Sequence, residues 1–189
     1  MMNTALSSSK ALSADTIVKV FNDLFLSSHH TCIEGGAPEP LYEPAQGDVP
    51  ARISFRSDYA SSALHEIAHW CIASAARRTR VDYGYWYDPD GRSEDAQAKF
   101  MTAEARPQAL EWCFSQACGL SFRLSLDNLD APPDLAMNQA FATAVLTQAN
   151  DFVVRGLPPR AQAMFDVLGL ASGTHLSIDV LQFSRDDLR

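Results

Sequence analysis

The chain has 189 residues, a formal net charge of −8 and 47% hydrophobic residues. That length suits one domain, and that apolar content excludes a wholly disordered chain. The negative charge repels phosphate groups, so we expect no direct binding of nucleic acid.

The N-terminus and the cysteines bear on the compartment. The first residues lack the basic segment and apolar core of a secretory signal, and no apolar run approaches the roughly 20 residues that span a bilayer. We interpret the four cysteines as small core residues with free thiols, since none form a Cys-x-x-Cys pair. They are Cys32, Cys71, Cys113 and Cys118. These features predict a cytoplasmic protein without membrane contact.

In chain order, the N-terminal part predicts a loose segment, a helix and a loop. Residues 1–13 are rich in Ser and Ala and are predicted to be loose, whereas residues 14–189 are predicted to form one metal-binding catalytic domain. Asp15 is the predicted N-cap of a helix over about 16–27, which has an apolar stripe. Gly and Pro crowd residues 35–50, which indicates an extended loop.

The central part predicts a strand and then an alanine-rich helix. Residues 52–56 alternate in polarity, as a short strand does. Residues 59–78 contain no Gly or Pro and predict a helix, with Ser57 or Asp58 as its cap. Two arginines lie at its C-terminal end, where the helix dipole favours cations.

A strand-like aromatic run at 81–87 precedes three more predicted helices. Pro107 is tolerated in the first turn of the first of these helices, Gly119 ends it, and Asp134 caps the second. The three helices are predicted over 104–118, 135–155 and 159–169. The predicted fold class is therefore α+β, a helix-rich single domain with a small sheet.

The segment His65-Glu66-Ile67-Ala68-His69 carries the chemistry. Two histidines at i and i+4 project from one helix face and can bind one divalent metal ion. Glu66 is rotated by about 100° from His65, so it is placed to act on a metal-bound water rather than on the metal. Metal binding is favoured over two hydrogen-bonded core histidines, because unpaired polar groups are costly in such an apolar helix.

Two imidazoles need a third ligand, and the spacing leaves several candidates. Glu104 is the best of them, because it opens a predicted helix whose N-terminus favours a carboxylate. Glu111 lies two turns further along. The other candidates are His29, His30, His175, Asp82, Asp88, Asp90, Glu94 and Asp95.

A site of two histidines and one carboxylate leaves open positions on the metal. With zinc, such a site makes Glu66 the general base of a peptidase. With iron(II), it is a facial triad that activates oxygen. The motif does not distinguish these chemistries. A non-catalytic module with a structural metal is disfavoured, because structural zinc sites are normally closed by four protein ligands.

The run at 82–92 places aromatic rings beside carboxylates. Such a run suits an ammonium substrate through cation–π contacts and ion pairing. The alternative is a buried aromatic strand followed by an exposed turn, and burial statistics favour it for the individual tyrosines. The candidate substrate-binding residues are Asp82, Tyr85, Asp88 and Asp90.

Four separate segments carry a family resemblance. They read His-Glu-Ile-Ala-His-Trp-Cys-Ile-Ala at 65–73, Val-Asp-Tyr-Gly-Tyr-Trp-Tyr-Asp-Pro-Asp-Gly-Arg at 81–92, Arg-Pro-Gln-Ala-Leu-Glu-Trp at 106–112 and Asp-Asn-Leu at 127–129. In this order they resemble the elongation factor P hydroxylase family. The resemblance covers residues 40–130, and the terminal thirds carry no such signature.

The resemblance implies a bacterial enzyme with a minimal zincin-like fold. Members of this family hydroxylate a lysine of elongation factor P after that lysine has received a β-lysyl group. The resemblance implies His65 and His69 as metal ligands, and Glu104 matches the family's third ligand. Glu66 would handle protons or orient the site.

The same resemblance implies iron(II) as the working metal, although another divalent ion can occupy such a site. C–H hydroxylation needs a redox-active metal, and zinc has no redox chemistry. The implied protein substrate, elongation factor P, presents a cationic side chain that an acidic protein attracts.

Overall fold

The computed structural model describes residues 10–81, 94–126 and 135–188. Within these ranges there are five α-helices and three β-strands. The helices are α1 (Ala14–His29), α2 (Ala60–Ile72), α3 (Glu94–Ala117), α4 (Leu135–Arg155) and α5 (Pro159–Ser172), and the strands are β1 (Thr31–Ala37), β2 (Leu41–Glu43) and β3 (Ala51–Arg56). Short 3₁₀ turns lie at Arg77–Thr79, Ile178–Val180 and Arg185–Asp187. The predicted class, a helix-rich α+β domain with a small sheet, is confirmed.

The sheet places the start of the metal-motif helix. Its strand order is β1-β3-β2, with β3 parallel to β1 and antiparallel to β2. Ile53 of β3 pairs with Ile33 of β1 and Tyr42 of β2. Ile33, Ile53 and Phe55 are buried, because the sheet packs one apolar face against the helices. α2 follows β3 after a short turn, so its start is fixed by the central strand.

The N-terminal predictions were partly wrong. α1 begins at Ala14, and its N-cap is Ser13, whose hydroxyl accepts a hydrogen bond from the backbone N–H of Thr16 at 3.3 Å. Asp15 lies in the first turn instead, where its negative charge interacts favourably with the positive end of the helix dipole. The predicted loop at 35–50 contains β2 and the end of β1, because short strands interrupted by Gly and Pro give no periodic signal. The strand predicted at 52–56 is present as β3.

α2 is shorter than the predicted helix at 59–78. Its N-cap is Tyr59, which makes no side-chain capping bond, so the caps predicted at Ser57 and Asp58 were wrong. The helix ends at Ile72, and the backbone turns extended at Ala73. Arginine side chains from outside the helix donate hydrogen bonds to the carbonyl oxygens at its C-terminal end, which no local pattern indicates.

α3 is longer than predicted. It begins at Glu94, so Pro107 lies inside the helix rather than in its first turn. Proline lacks a backbone N–H, so the helix loses one hydrogen bond. The burial of Leu110 and Trp112 compensates for the free energy that this loss costs. Gly119 ends this region at φ 67°, as predicted. The predicted cap Asp134 and the strand-like run at 82–87 lie outside the described residues.

The later helices largely follow the sequence pattern. α4 has the predicted bounds, and Gly156 follows it at φ 81°. α5 extends three residues beyond the predicted end at 169, to a left-handed Gly173. No described helix is long and apolar enough to cross a membrane.

The cysteines are free thiols, and three of the four lie in the core. Cys71, Cys113 and Cys118 are buried, whereas Cys32 is only half-buried on β1, contrary to the prediction for it. Burial raises the pKa of Cys71 to about 12, so its thiol stays protonated and unreactive at neutral pH.

Candidate metal centre

α2 presents His65 and His69 from one side. Leu64, Ile67 and Ala68 are fully buried on its core side, which leaves the two rings at the border of the core. Their Nε2 atoms lie 3.1 Å apart, and the ring centroids are separated by 4.7 Å. The i, i+4 spacing therefore brings both nitrogens to one point, as predicted.

α3 brings Glu104 to the same point. Its Oε2 lies 3.4 Å from His65 Nε2, and its Oε1 lies 3.3 Å from His69 Nε2. The three residues each offer one ligand atom, all within 4.8 Å of one another. The carboxylate is almost completely buried, at 3% exposure. The structure therefore brings together all three residues of the predicted ligand set.

The donor set fits a metal ion. Glu104 Oε2 is buried and accepts no hydrogen bond, which is costly for a carboxylate oxygen unless a cation completes its coordination. Two imidazole nitrogens and one carboxylate oxygen suit iron(II) or zinc(II). Among the described residues, the alternative ligands His29, His30, Asp95 and His175 are not part of this group.

Glu111, an alternative third ligand by its spacing, does not lie at the ligand cluster. Its Oε2 lies 2.9 Å from Nδ1 of His65, on the side of the ring away from Nε2. It is 7% exposed. The sequence signal was its distance of seven residues from Glu104, which puts both carboxylates on one face of α3.

A pocket adjoins this cluster. It lies between the sheet and the C-terminal part of α2, and Glu66 and His69 form the wall nearest the cluster. Burial raises the pKa of Glu66 above the usual range of a carboxyl group. The lining residues are Tyr42, Ile53, Glu66, His69, Trp70, Ala73, Arg77 and Arg78.

The predicted substrate-binding residues lie outside the described residues. These are Asp82, Tyr85, Asp88 and Asp90. The described range that contains the pocket residues Arg77 and Arg78 ends at Val81, directly before Asp82 in the sequence.

Neighbouring carboxylates affect the protonation of His65. Burial alone would lower the pKa of His65, but the hydrogen bond that its Nδ1–H donates to Glu111 and the charges of Glu104 and Glu111 raise it to about 10. Burial opposes ionisation of Glu104, but the two histidines more than offset this and lower its pKa to about 2. Without metal at neutral pH, the cluster therefore holds a proton on His65 and an ionised Glu104.

We expect metal binding at neutral pH to release about one proton. Because the pKa of His65 is raised, its imidazolium is favoured below a pH of about 10, and the ring must lose this proton to bind a metal. Apparent zinc affinity should therefore rise by about tenfold per pH unit between pH 6.5 and 8. Calorimetry in buffers of different ionisation enthalpy measures the released protons, and an affinity independent of pH would contradict this expectation.

The fold and the site together define a class, an α+β protein with a His-Glu-x-x-His helix and a carboxylate-completed site suited to a metal ion. The elongation factor P hydroxylase family model matches residues 20–183. The chain is also 41% identical over 170 residues to the elongation factor P lysine hydroxylase of Haemophilus influenzae, a match that covers 89% of this chain and 94% of that protein. The chain therefore belongs to the elongation factor P hydroxylase family. The match extends well beyond the segments that carried the resemblance.

Proposed function

We propose that this protein is an elongation factor P lysine hydroxylase that works with iron(II). The observation that supports it most directly is the buried His65, His69 and Glu104 cluster in a chain of this family. The proposed target is the lysine of elongation factor P that carries a β-lysyl group.

Iron(II) is proposed because of the reaction. Hydroxylation inserts one oxygen atom of O₂ into a C–H bond, and reduction of the other to water requires two electrons and two protons. Bound iron supplies the redox chemistry that zinc lacks. His65, His69 and Glu104 would hold it, and a three-ligand site would leave coordination positions for other ligands.

Other side chains are proposed to receive the substrate and its protons. Glu66 faces the pocket beside His69, where a carboxyl group of raised pKa can hold a proton or orient a bound water. Tyr42 and Trp70 give the pocket aromatic walls that can pack against the methylene groups of a lysyl side chain. The carboxylates and ring of the next chain segment are proposed to bind the ammonium groups. These are Asp82, Asp88, Asp90 and Tyr85.

We further propose residues 14–189 as a single catalytic domain. Of the preceding residues, which were predicted to be loose, Leu12 is buried in the core of this domain, and its backbone N–H donates to the Cys118 carbonyl at 3.2 Å. α1 begins at Ala14 and packs on the sheet. The free thiols fit a reducing cytoplasm, where translation factors are found.

Intact-mass analysis tests this proposal. β-Lysylated elongation factor P is incubated in air with iron(II), a reductant and this protein, beside a His65→Ala control. We expect elongation factor P to gain the mass of one oxygen atom with the wild-type protein. We expect no gain with the control, because that variant lacks one metal ligand. No gain of mass with verified iron loading and supplied reductant would contradict the proposal. Cleavage fragments in the same spectra would instead favour the zinc peptidase alternative.

A further inference from the structure

We propose that Glu111 is a positioning residue that fixes His65 as a metal ligand by accepting a hydrogen bond from its Nδ1–H. This inference rests on the metal site of the proposed function, but it does not depend on which reaction that site performs.

The two nitrogens of His65 have separate partners. Nδ1 lies 2.9 Å from the Glu111 carboxylate, whereas Nε2 faces Glu104 at 3.4 Å and His69 at 3.1 Å. A neutral imidazole carries a single proton. A carboxylate at Nδ1 keeps that proton there, and the lone pair of Nε2 then points towards the ligand cluster.

α3 supplies both carboxylates from one face. Glu104 and Glu111 are seven residues apart, which is about 20° short of two full turns and about 10 Å along the helix axis. Gln108 lies between them and is fully buried, and its side-chain amide makes two hydrogen bonds with the backbone of Ser125. These bonds tie the middle of that face to the following segment, so both carboxylates are held in register with the ring.

The burial of Glu111 is explained by this role. No Lys or Arg of the described ranges forms an ion pair with it, and the ion pair that it makes is with His65. Burying a carboxylate is costly unless a positive charge lies beside it. A ring held by a divalent metal ion and hydrogen-bonded to that carboxylate compensates this cost, because the metal strengthens the Nδ1–H donor.

Metal affinity should report this role directly. Loss of an outer carboxylate partner typically costs about 10–100-fold in metal affinity. We expect that loss for Glu111→Ala. Glu111→Gln should fall between Ala and wild type, because the amide oxygen still accepts the bond but charge-assisted bonds are roughly twice as strong.

The experiment uses the full chain loaded with zinc, which is diamagnetic, without substrate. Chelator competition gives the affinity, and ¹H–¹⁵N spectra of the histidine rings report the Nδ1–H proton. In wild type this proton should be hydrogen-bonded and downfield, and Glu111→Ala should lose it to exchange. Ser115→Ala is the matched control, since Ser115 is buried one turn further on α3. We expect wild-type behaviour from this control.

Two outcomes would overturn the inference. The first is a Glu111→Ala variant with wild-type metal affinity and an unchanged His65 signal. The second applies if that variant does not fold: a Glu111→Gln variant with wild-type metal affinity and an unchanged His65 signal. Because zinc is the probe, a failure to hydroxylate elongation factor P would leave these readouts intact and would count against the proposed function only.

Discussion

Replacing Glu104 by alanine is expected to abolish hydroxylation of elongation factor P while the fold persists. Its carboxylate is the only described acidic group that faces Nε2 of both His65 and His69. Without it, the two imidazoles are left as a weak, two-ligand site. The loss should exceed the roughly 10–100-fold effect expected for an outer partner such as Glu111.

Thermal unfolding with and without metal separates this effect from misfolding. A ligand that binds only the folded state adds about 2.7 kcal/mol at a hundredfold excess over its Kd. Wild type should therefore gain stability with zinc, whereas Glu104→Ala should not. Glu104→Gln should keep the packing and still lose most of the metal affinity, because a neutral amide is a poorer ligand. A Glu104→Ala variant with wild-type zinc stabilisation would show that another residue is the third ligand.

A matched control is Glu43→Ala, which removes an exposed carboxylate that pairs with Arg52 on the sheet. Exposed ion pairs contribute about 0–1 kcal/mol, so this variant should retain both activity and zinc stabilisation.

The sequence predicted the part of the site that one helix contains. His65 and His69 share a helix face by their spacing alone, whatever surrounds that helix. Glu104 was one of several acids that the spacing allowed, and the family resemblance rather than the spacing singled it out. The hydrogen bond of Glu111 joins residues 46 positions apart, and it depends on how α2 packs on α3.

The fold shows the same division between local and distant causes. Periodic apolar patterns predicted α1, α4 and α5 to within a few residues. The end of α2 could not be predicted, because its last carbonyls bond to Arg160, 87 to 90 residues further along the chain. The hydrogen bonds at this helix end therefore involve a partner that is distant in sequence.

Arg160 provides the second large expected effect. One of its guanidinium nitrogens lies 3.0, 2.9 and 2.7 Å from the carbonyl oxygens of Trp70, Cys71 and Ala73. The guanidinium also lies 4.9 Å from the centroid of the Trp70 ring. The positive charge thus meets the negative end of the α2 dipole, at carbonyls that lie one, two and four residues after His69.

We expect Arg160→Ala to lower the free energy of unfolding by about 2–4 kcal/mol. Hydrogen bonds to charged groups contribute about 1.5–3 kcal/mol, and a cation–π contact adds about 0.5–2 kcal/mol. In a chain of this size, each kcal/mol shifts the Tm by about 2–4 °C. Denaturant and thermal unfolding of the metal-free protein measure both quantities.

Arg155→Ala is the control for this prediction. Arg155 ends α4, is 77% exposed, and pairs with Asp151 at 3.8 Å. It should change stability by less than about 0.5 kcal/mol. Arg160→Lys should not restore wild-type stability, since a compact ammonium group lacks the planar guanidinium that lies over the Trp70 ring.

The site should respond to Arg160 as well. Without the Arg160 hydrogen bonds, the last turn of α2 would fray. This turn carries His69, whose backbone carbonyl accepts a hydrogen bond from the N–H of Ala73. Zinc affinity should therefore fall in Arg160→Ala and not in Arg155→Ala, although neither arginine is a ligand. Equal zinc affinity in the two variants would show that the metal site tolerates a loosened helix end, and that Arg160 serves stability alone.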